Sequence, residues 1–600
     1  MKSNNQRVRA VYLLFILVFV IIAGRLIQVQ GVSAAAYASR ASRELYQTAP
    51  LAASRGAITD KDGVPFARSI ASVNITVDQQ LVLDPARAAE IVAPIISLPV
   101  STVQSRLTGD RRFAYVAKDV TPAVWKSVKE AIAAENTKRS YGKYISGFYS
   151  EDAFHRDYPA GALGASFLGF VSASGHGGGG LEYALDPVLA GKDGSYTYAQ
   201  NGGGQVIPTA HDVLTPASAG KEVRLTIDRD IQWVAQQSIT AAVKKANALS
   251  GTVIVMEPAT GKILAMATAP TFDPNNISKA TPDLLATPAV SDPYEPGSTG
   301  KVMTMAAAIE EKVVTPTTLF TVPDKIKRAN RYFGDHDKHA TWKLTTAGIL
   351  AKSSNTGTIQ IGEKMKPSTL HSYLTKFGIG TKTGLELAGE SSGLLSPVDR
   401  WSGTTAPTVA FGQGYSLTTI QATSVFATLA NDGVQVKPTL VSGYVDQAGH
   451  YSPKSVSKGV RIISSETAQK VRLMMESVLS DEGTAPGARI PGYRVAGKTG
   501  TANRIDASGQ YHGYTASFIG FAPAENPKFV INVTIQDPHG VHFGSLLGGP
   551  VFKEVMSFAL KSYHVPPSSQ TVTLLPMNEK EMKALAAKKS QSETKTVSKA

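Results

Sequence analysis

Cysteine is absent from the 600 residues of this chain. Without a thiol the chain can form no disulfide, thiolate nucleophile or cysteine-ligated metal centre, so its folding does not depend on a redox compartment. A basic stripe with interleaved aromatic residues is also missing, because the net charge of +14 is spread among interleaved acidic residues. This distribution excludes nucleic acid as the favoured partner and indicates a solvated surface that faces something anionic.

Long apolar runs are scarce as well, and the one that stands out lies at residues 10–24 (AVYLLFILVFVIIAG). Basic residues on its N-terminal side keep that side cytoplasmic: Lys2, Arg7 and Arg9. Because Arg25 can snorkel, the span extends beyond the run, and we predict a cytoplasmic tail at residues 1–9 and a membrane anchor at residues 10–29. A cleaved signal peptide is the alternative, with small residues at 34–36, but this site lies about ten residues past the run.

The pattern of apolar and polar residues changes near Lys221. Residues 33–219 are irregular, whereas strands and amphipathic helices alternate after them, as in EVRLTID, IQWVAQQSITAAVKKA, GTVIVMEP and ILAMAT. This pattern predicts a layered α/β (α+β) domain with a mainly antiparallel sheet flanked by helices, at residues 221–563. Residues 564–600 are predicted to be a linker and a short basic helix that ends in a disordered tail.

The first candidate catalytic residue is Ser298 in YEPGSTGK, where a Pro-Gly turn precedes a helical stretch. A serine at a helix N-terminus feels the positive end of the macrodipole, and Lys301 lies one turn later on the same face. A desolvated, neutral lysine amine there could take the hydroxyl proton and make the serine a nucleophile. The alternative role is a simple helix N-cap, and S-x-x-K occurs elsewhere too, as at Ser455 with Lys458.

Two later motifs complete the pattern. Ser353-Ser354-Asn355 follows a helical stretch, and the residues KTGT at 498–501 precede the strand-like TASFIGFAP. On a strand, Thr499 and Thr501 share one face, while Gly500 leaves room for a substrate against the backbone. A second K-T-G at residues 382–384 enters a short surface element without a second threonine, so we prefer Lys498.

The order S-x-x-K, S-x-N, K-T-G, with about fifty and then about 140 residues between the motifs, is that of β-lactamases and penicillin-binding proteins. Over nearly its whole length after the anchor, the chain resembles the class B penicillin-binding proteins. Four further segments carry this resemblance: RGAITDKDG (residues 55–63), RDYPAG (156–161), GLEYALD (180–186) and FGQGYSLTTIQ (411–421). The resemblance implies a penicillin-binding transpeptidase fold after an elongated pedestal (dimerisation) domain at residues 33–219.

The resemblance also implies roles for the motif residues in acyl transfer. Ser298 attacks the D-Ala-D-Ala carbonyl, Lys301 is its general base, and the backbone amides of Ser298 and Thr501 form the oxyanion hole. No metal or cofactor is implied. The cluster Asp335, His336, Asp337 and His339 could indicate a metal site, but we interpret it as a solvated loop.

For the remaining motif residues the resemblance implies supporting roles. Ser353 relays a proton to the leaving D-alanine, and Asn355 holds Lys301 and the substrate backbone. Lys498 tunes Ser353 electrostatically, and Thr499 binds the terminal carboxylate together with Thr501. The family more often has a larger apolar residue at the position of Gly300, and glycine there costs up to about 1 kcal/mol relative to alanine and loosens the segment that holds Lys301.

The function implied is peptidoglycan D,D-transpeptidation through a serine acyl-enzyme, in septum synthesis during cell division. The implied partners are peptidoglycan stem peptides, a lipid-linked precursor polymer, β-lactams, a polytopic glycosyltransferase and other division proteins, with the catalytic domain extracytoplasmic at the division septum. The absence of E-x-x-L-N between Asn355 and Lys498 predicts a long-lived penicilloyl adduct. The alternatives are an elongation-specific transpeptidase, a D,D-carboxypeptidase, and a catalytically idle divisome scaffold or β-lactam receptor.

Overall fold

The computed structural model describes residues 2–140, 142–200, 206–207, 213–505, 508–569 and 574–587. The chain divides into two compact units. The first consists of Met1–Arg55, Ile70–His155 and Ala190–Gly220, and the second of Gly56–Ser69, Arg156–Leu189 and Lys221–Ala600. Two segments that precede residue 220 are therefore part of the second unit, and the sequence-based boundaries at 33–219 and 221–563 stay a prediction.

The helices, in chain order, are α1 (Lys2–Ile27), α2 (Ala34–Leu45), α3 (Pro85–Ile95), α4 (Val100–Leu107), α5 (Pro122–Asn136), α6 (Ala165–Leu168), α7 (Gly180–Ala184), α8 (Asp186–Leu189), α9 (Arg229–Lys245), α10 (Pro288–Ser291), α11 (Lys301–Glu310), α12 (Thr346–Ala351), α13 (Asn355–Gly362), α14 (Pro367–Lys376), α15 (Thr405–Ala410), α16 (Thr419–Ala430), α17 (Ser465–Glu476) and α18 (Gly544–Ser562). Residues 579–587 are also helical.

The strands are β1 (Tyr46–Leu51), β2 (Ile58–Thr59), β3 (Pro65–Val77), β4 (Ala114–Val120), β5 (Phe148–Asp157), β6 (Gly194–Gln200), β7 (Val206–Ile207), β8 (Val213–Thr215), β9 (Glu222–Leu225), β10 (Ser250–Met256), β11 (Ile263–Ala269), β12 (Leu319–Val322), β13 (Lys325–Arg328), β14 (Arg331–Gly334), β15 (Trp342–Thr345), β16 (Val434–Gln435), β17 (Val441–Val445), β18 (Tyr451–Pro453), β19 (Val460–Arg461), β20 (Ala496–Ile505), β21 (Tyr511–Ala522) and β22 (Phe529–Gln536).

In the first unit, a small core forms where α3, α4 and α5 pack with β4 around Val92, Val103, Leu107, Val116 and Val128. Each of two helices begins with a side-chain cap, because Asp84 accepts the Arg87 amide and Thr121 accepts the Val124 amide. The same unit contains α1. The helical stretch Asn5–Val32, which begins within α1 and continues five residues beyond it, is long and apolar enough to cross a membrane, with a mean hydropathy of 2.7, and it includes the predicted anchor at 10–29.

The second unit is built on a five-stranded sheet in the order β11-β10-β22-β21-β20, and all neighbouring pairs are antiparallel. This arrangement confirms the predicted antiparallel sheet. Every residue of β11 and β22 is buried, so both faces are covered, and α9, α16 and α18 contact the sheet. The K-T-G motif lies on β20, the edge strand.

Residues of the family markers meet inside the second unit around one buried ion pair. The Arg156 guanidinium lies 2.8 Å from Glu182 Oε1, with side-chain exposures of 7% and 0%. Arg156 also donates to the Gly56 carbonyl, and the Tyr158 hydroxyl donates to Glu182. Since a buried carboxylate is costly unless it is paired, this network specifies how segments that are far apart in sequence come together.

Candidate active site

A cleft of about 370 Å³ in the second unit brings the three motifs together. Residues from all three contribute to its wall, namely Ser298, Ser353, Asn355, Thr499 and Thr501. Aromatic residues line it as well: Trp342, Phe411 and Phe543. The predicted convergence of separated segments on one cavity is thus present in the structure.

Ser298 lies in a short 3-10 turn, Gly297–Gly300, which continues directly into α11. Gly297 has a φ of +53° and donates its amide to the Gly412 carbonyl at 2.8 Å. At Gly412, with φ +97°, a Cβ atom would lie 1.8 Å from the Gly297 carbonyl oxygen, so only glycine permits this approach. The Ser298 turn is therefore held by FGQG, a marker that lies more than a hundred residues away.

Gly300 packs against Tyr415 and is not loosely held. A Cβ atom at Gly300 would lie 2.3 Å from the Tyr415 hydroxyl oxygen and 3.0 Å from Gly412 Cα. Tyr415 is among the largest fully buried side chains of the protein. The expectation that glycine loosens the segment before Lys301 is wrong in this respect, because a tyrosine ring fills the space that a larger residue would occupy.

One serine hydroxyl connects the two motif lysines. Ser353 Oγ accepts a hydrogen bond from Lys498 Nζ at 2.9 Å and one from Lys301 Nζ at 3.4 Å. Lys301 Nζ also donates to the Ser353 carbonyl at 2.5 Å. Both lysines are 0% exposed, so their amines lie beneath the cleft and not on its wall.

Burial changes the protonation of both amines. Burial lowers the pKa of Lys301 to about 7, against the opposing attraction of the Asp335 carboxylate. Burial also lowers the pKa of Lys498 well below its ordinary value, and repulsion from Lys301 lowers it further. At neutral pH a sizeable fraction of Lys301 is therefore an uncharged amine that can accept a proton.

The S-S-N loop (residues 352–354, followed by Asn355 as the first residue of α13) joins α12 to α13 with an unusual backbone. Ser353 has a φ of +58°, a left-handed conformation that is rare for a residue with a side chain, and Ser354 caps α13 by accepting the Gly357 amide. Asn355 Nδ2 donates to the Gly334 carbonyl at 3.0 Å. No hydrogen bond joins Asn355 to Lys301 in the described part of the chain, where the Lys301 amine is instead bonded to Ser353.

Asp335 is a support of this loop that the sequence analysis missed. Its Oδ1 accepts the backbone amides of Asn355 at 2.6 Å and Thr356 at 2.9 Å, and its Oδ2 lies 3.1 Å from His339 Nε2. The side chains of Asp335 and His339 are each only 6% exposed, whereas His336 and Asp337 are exposed. The predicted solvated loop is thus half buried. Among the described residues, no group of three or more acidic or histidine side chains is arranged to hold a metal ion.

On β20 the two threonines face the cleft, as strand alternation predicts. Thr499 Oγ1 lies 3.1 Å from Oγ1 of Thr484, which lines the cleft but belongs to none of the three motifs. Thr501 Oγ1 accepts the Gly544 amide at 3.4 Å. Gly500 does not leave room for substrate. A Cβ atom there would lie 2.3 Å from Ser517 Oγ and 2.9 Å from Thr299 Cγ2, so this glycine instead permits close packing of β20 on its neighbours.

The second K-T-G lies apart from this cleft. Thr383 donates its amide and its hydroxyl to Glu390 at 2.6 Å and 2.5 Å, and Lys382 lines a different cavity. This threonine therefore serves a loop turn, consistent with the sequence context that favoured Lys498.

Comparisons with known proteins identify the family. The family described as the penicillin-binding protein transpeptidase domain matches residues 251–557, and the penicillin-binding protein dimerisation domain matches residues 50–225. The chain belongs to the class B penicillin-binding proteins. The resemblance of the motifs and the predicted transpeptidase fold are both confirmed.

Relatives of this class B penicillin-binding protein span most of its length. Penicillin-binding protein PbpB of Mycolicibacterium smegmatis is 37% identical over 80% of this chain and 74% of its own length. Peptidoglycan D,D-transpeptidase FtsI of Escherichia coli is 30% identical over 86% of this chain and 85% of its own. The crystal structure of penicillin-binding protein 3 from Mycobacterium tuberculosis, complexed with aztreonam, is 30% identical, with a TM-score of 0.68, and the match covers 88% of this chain and 100% of that one.

Proposed function

We propose that this protein is a septal peptidoglycan D,D-transpeptidase that cross-links wall peptides through an acyl-enzyme on Ser298, and that β-lactams acylate the same serine. The observation that carries the proposal is the Ser353 hydroxyl, which lies within hydrogen-bond distance of two fully buried lysine amines next to the cleft that Ser298 lines. Relatives named as D,D-transpeptidases and as penicillin-binding proteins support the substrate class.

In the acylation step, Lys301 Nζ takes the proton of the Ser298 hydroxyl while Oγ forms a bond to the carbonyl carbon of the penultimate D-alanine. The pKa of Lys301, about 7, allows its neutral form to be present at physiological pH. The backbone amides of Ser298 and Thr501 are assigned to the oxyanion, and the Thr499 and Thr501 hydroxyls to the terminal carboxylate.

Expulsion of D-alanine requires a proton on its leaving nitrogen. Ser353 Oγ accepts from Lys301 Nζ at 3.4 Å, so a proton can pass from that amine through the hydroxyl to the leaving nitrogen as the C–N bond breaks. Lys498 Nζ, 2.9 Å from the same oxygen, lowers the cost of negative charge on it during this transfer. An amine of a second wall peptide then attacks the ester, returns its proton by the same groups and restores the Ser298 hydroxyl.

The location and partners follow from the same assignment. Helix α1 is proposed to be an uncleaved single-pass anchor, with the catalytic domain extracytoplasmic at the division septum. A lipid-linked precursor polymer then supplies the wall peptides, and a polytopic glycosyltransferase and other division proteins are the expected partners. Depletion of the protein should produce filaments, whereas spheres would indicate the elongation role.

Labelled penicillin tests the acyl-enzyme directly. The purified full-length protein should be labelled covalently, and Ser298→Ala should abolish the labelling. Ser455→Ala is the matched control, because Ser455 also begins an S-x-x-K sequence and is exposed. Labelling that persists in Ser298→Ala would contradict the proposal by indicating another nucleophile, and absence of labelling from the wild type would contradict it and favour a scaffold.

A second pair of variants tests the choice between the two K-T-G sequences. Lys498→Ala should slow acylation by about a hundredfold or more, since it removes a buried hydrogen-bond donor at the relay hydroxyl. Lys382→Ala should leave the rate unchanged, because Lys382 is exposed and lines another cavity. Equal rates for the two variants would show that Lys498 takes no part in the reaction.

Detection of cross-linked dimer, in excess of trimmed monomer, separates transpeptidation from D,D-carboxypeptidation.

A further inference from the structure

The C-terminal segment (residues 574–587), predicted from sequence as part of a linker and a short basic helix, is packed against the strand and helix that lead to the S-S-N loop. The backbone of Met577 accepts the Thr345 amide at 3.0 Å, and the Pro576 carbonyl accepts the Thr345 hydroxyl at 2.7 Å. An antiparallel bridge joins Leu344 to Asn578. The segment thus adds one extended stretch to the edge of β15, in the manner of β-augmentation within a single chain.

The contact continues onto α12, where a glycine accommodates it. A Cβ atom at Gly348 would lie 1.9 Å from the Met577 carbonyl oxygen, so the segment sits where any larger residue would exclude it. The Thr345 hydroxyl that donates to Pro576 also accepts the Gly348 amide at 3.0 Å as the N-cap of α12. The N-terminal end of α12 is therefore bonded through one side chain to the C-terminal segment.

The segment has its own local support. Asn578 Oδ1 accepts the Glu581 amide at 2.9 Å, and Glu581 Oε2 accepts the Met577 amide at 2.8 Å, which is the reciprocal pattern of a capped helix start. Met577 is only 6% exposed, and Leu575 packs against the main hydrophobic core. The Met577 peptide groups are thus bonded on one side to Thr345 and on the other to Glu581.

We propose that the C-terminal segment is a positioning element for catalysis, which braces α12 and so places Ser353 between the two lysine amines. Helix α12 has six residues, too few to be stable by themselves, so its position depends on what packs around it. Its last residue, Ala351, is followed at once by the S-S-N loop, where Ser353 has a φ of +58°. A strained residue keeps its conformation only while its surroundings impose it.

This inference rests on the proposed role of Ser353 in acyl transfer. Displacement of α12 would move the relay hydroxyl relative to Lys301 and Lys498, but it would leave Ser298 and its turn in place. The expected defect is therefore in the rate of covalent acylation after penicillin has bound, and not in the affinity of the noncovalent complex. Misplacement of a reacting group by about 1 Å costs on the order of a hundredfold in rate.

The first test compares two shortened forms of the membrane-anchored protein. A variant that ends at residue 573 should acylate with penicillin about 10- to 100-fold more slowly than the wild type. The matched control ends at residue 587 and keeps every described contact, so its rate should equal that of the wild type. A synthetic peptide of residues 574–587, added to the shorter variant, should restore part of the lost rate.

Gly348→Ala in the full-length chain provides a test that does not depend on how well a truncated chain folds. Alanine favours a helix more than glycine does, so the substitution would strengthen α12 in isolation. Here its methyl group should displace the Met577 carbonyl and slow acylation to a similar extent as the truncation. Combined with the truncation at residue 573, Gly348→Ala should have little further effect, because the clash is gone.

The outcomes separate the two proposals. If the wild type is not labelled by penicillin, the acyl-enzyme proposal itself fails. If the wild type is labelled and both Gly348→Ala and the variant that ends at residue 573 acylate at the wild-type rate, the positioning role is overturned. Should the shorter variant fail to fold, the acylation rate of Gly348→Ala decides alone, and a wild-type rate would overturn the role. An effect on penicillin affinity only would likewise overturn it.

Discussion

The contact between Gly300 and Tyr415 makes a sharp prediction about the helix that begins after Ser298. In an unconstrained helix, Gly300→Ala would stabilise the protein by up to about 1 kcal/mol. In this structure the new Cβ atom would lie 2.3 Å from the Tyr415 hydroxyl oxygen and 3.0 Å from Gly412 Cα. Overpacking of this kind costs about 1–3 kcal/mol, so we expect a net loss of about 1–2 kcal/mol in the free energy of unfolding.

Tyr415→Phe should relieve most of that cost, because it removes the oxygen that the methyl group meets. The Tyr415 hydroxyl has no hydrogen-bond partner among the described residues, so Tyr415→Phe by itself should change stability by less than about 1 kcal/mol. The double variant should therefore be about as stable as the wild type, with a coupling of about 1–2 kcal/mol between the two positions.

Thermal unfolding of the full-length protein in detergent, with labelled penicillin as a second readout, measures this cycle. Gly300→Ala should lower Tm by about 1–2 °C and slow acylation, and addition of Tyr415→Phe should restore both. A higher Tm for Gly300→Ala, or no relief from Tyr415→Phe, would refute the account of this packing.

Two further predictions concern protonation and the buried ion pair. The rate of acylation by penicillin should rise about tenfold between pH 6 and pH 8, because only the neutral amine of Lys301, whose pKa is about 7, can accept the serine proton. Initial rates of labelling across this pH range measure the effect. A rate that does not change with pH would contradict the role of Lys301 as the base. Arg156→Ala should cost about 3–5 kcal/mol, because it removes the Arg156 guanidinium from its 2.8 Å contact with the Glu182 carboxylate, which is 0% exposed. Arg68→Ala, which breaks the partly exposed pair with Asp157, should cost less than about 1 kcal/mol, and similar losses in Tm for the two variants would argue against this ranking.

Local patterns in the sequence predicted the parts of the fold that depend on residues close together in the chain. The context of residues 498–501 predicted a strand with Thr499 and Thr501 on one face, and the Pro-Gly turn predicted the start of the helix at Ser298. The order and spacing of the three motifs predicted that they share one cavity, because their residue types have complementary roles in acyl transfer. These inferences need only short-range periodicity and a known chemical combination.

Other features depend on contacts that no local pattern records. Asp335 was interpreted as part of a solvated loop, yet its carboxylate is buried and receives two amides of α13. Helix propensity alone predicts that Gly300 loosens its segment. Propensity does not take into account the packing partner, Tyr415, which lies in a distant stretch of the chain. The sequence predicts a short basic helix in the C-terminal segment but not its attachment, because the backbone bonds to Thr345 depend little on the identity of the side chains.

The sharing of one hydroxyl by two buried amines has a consequence for calorimetry. Both amines hold protons weakly because they have lost water, and repulsion from Lys301 adds to this effect at Lys498. A ligand that brings a carboxylate to the neighbouring threonines supplies the missing counter-charge, so binding should draw protons from the buffer. The heat of association would then vary with the ionisation enthalpy of the buffer, and a neutral ester of the same ligand would lack that dependence.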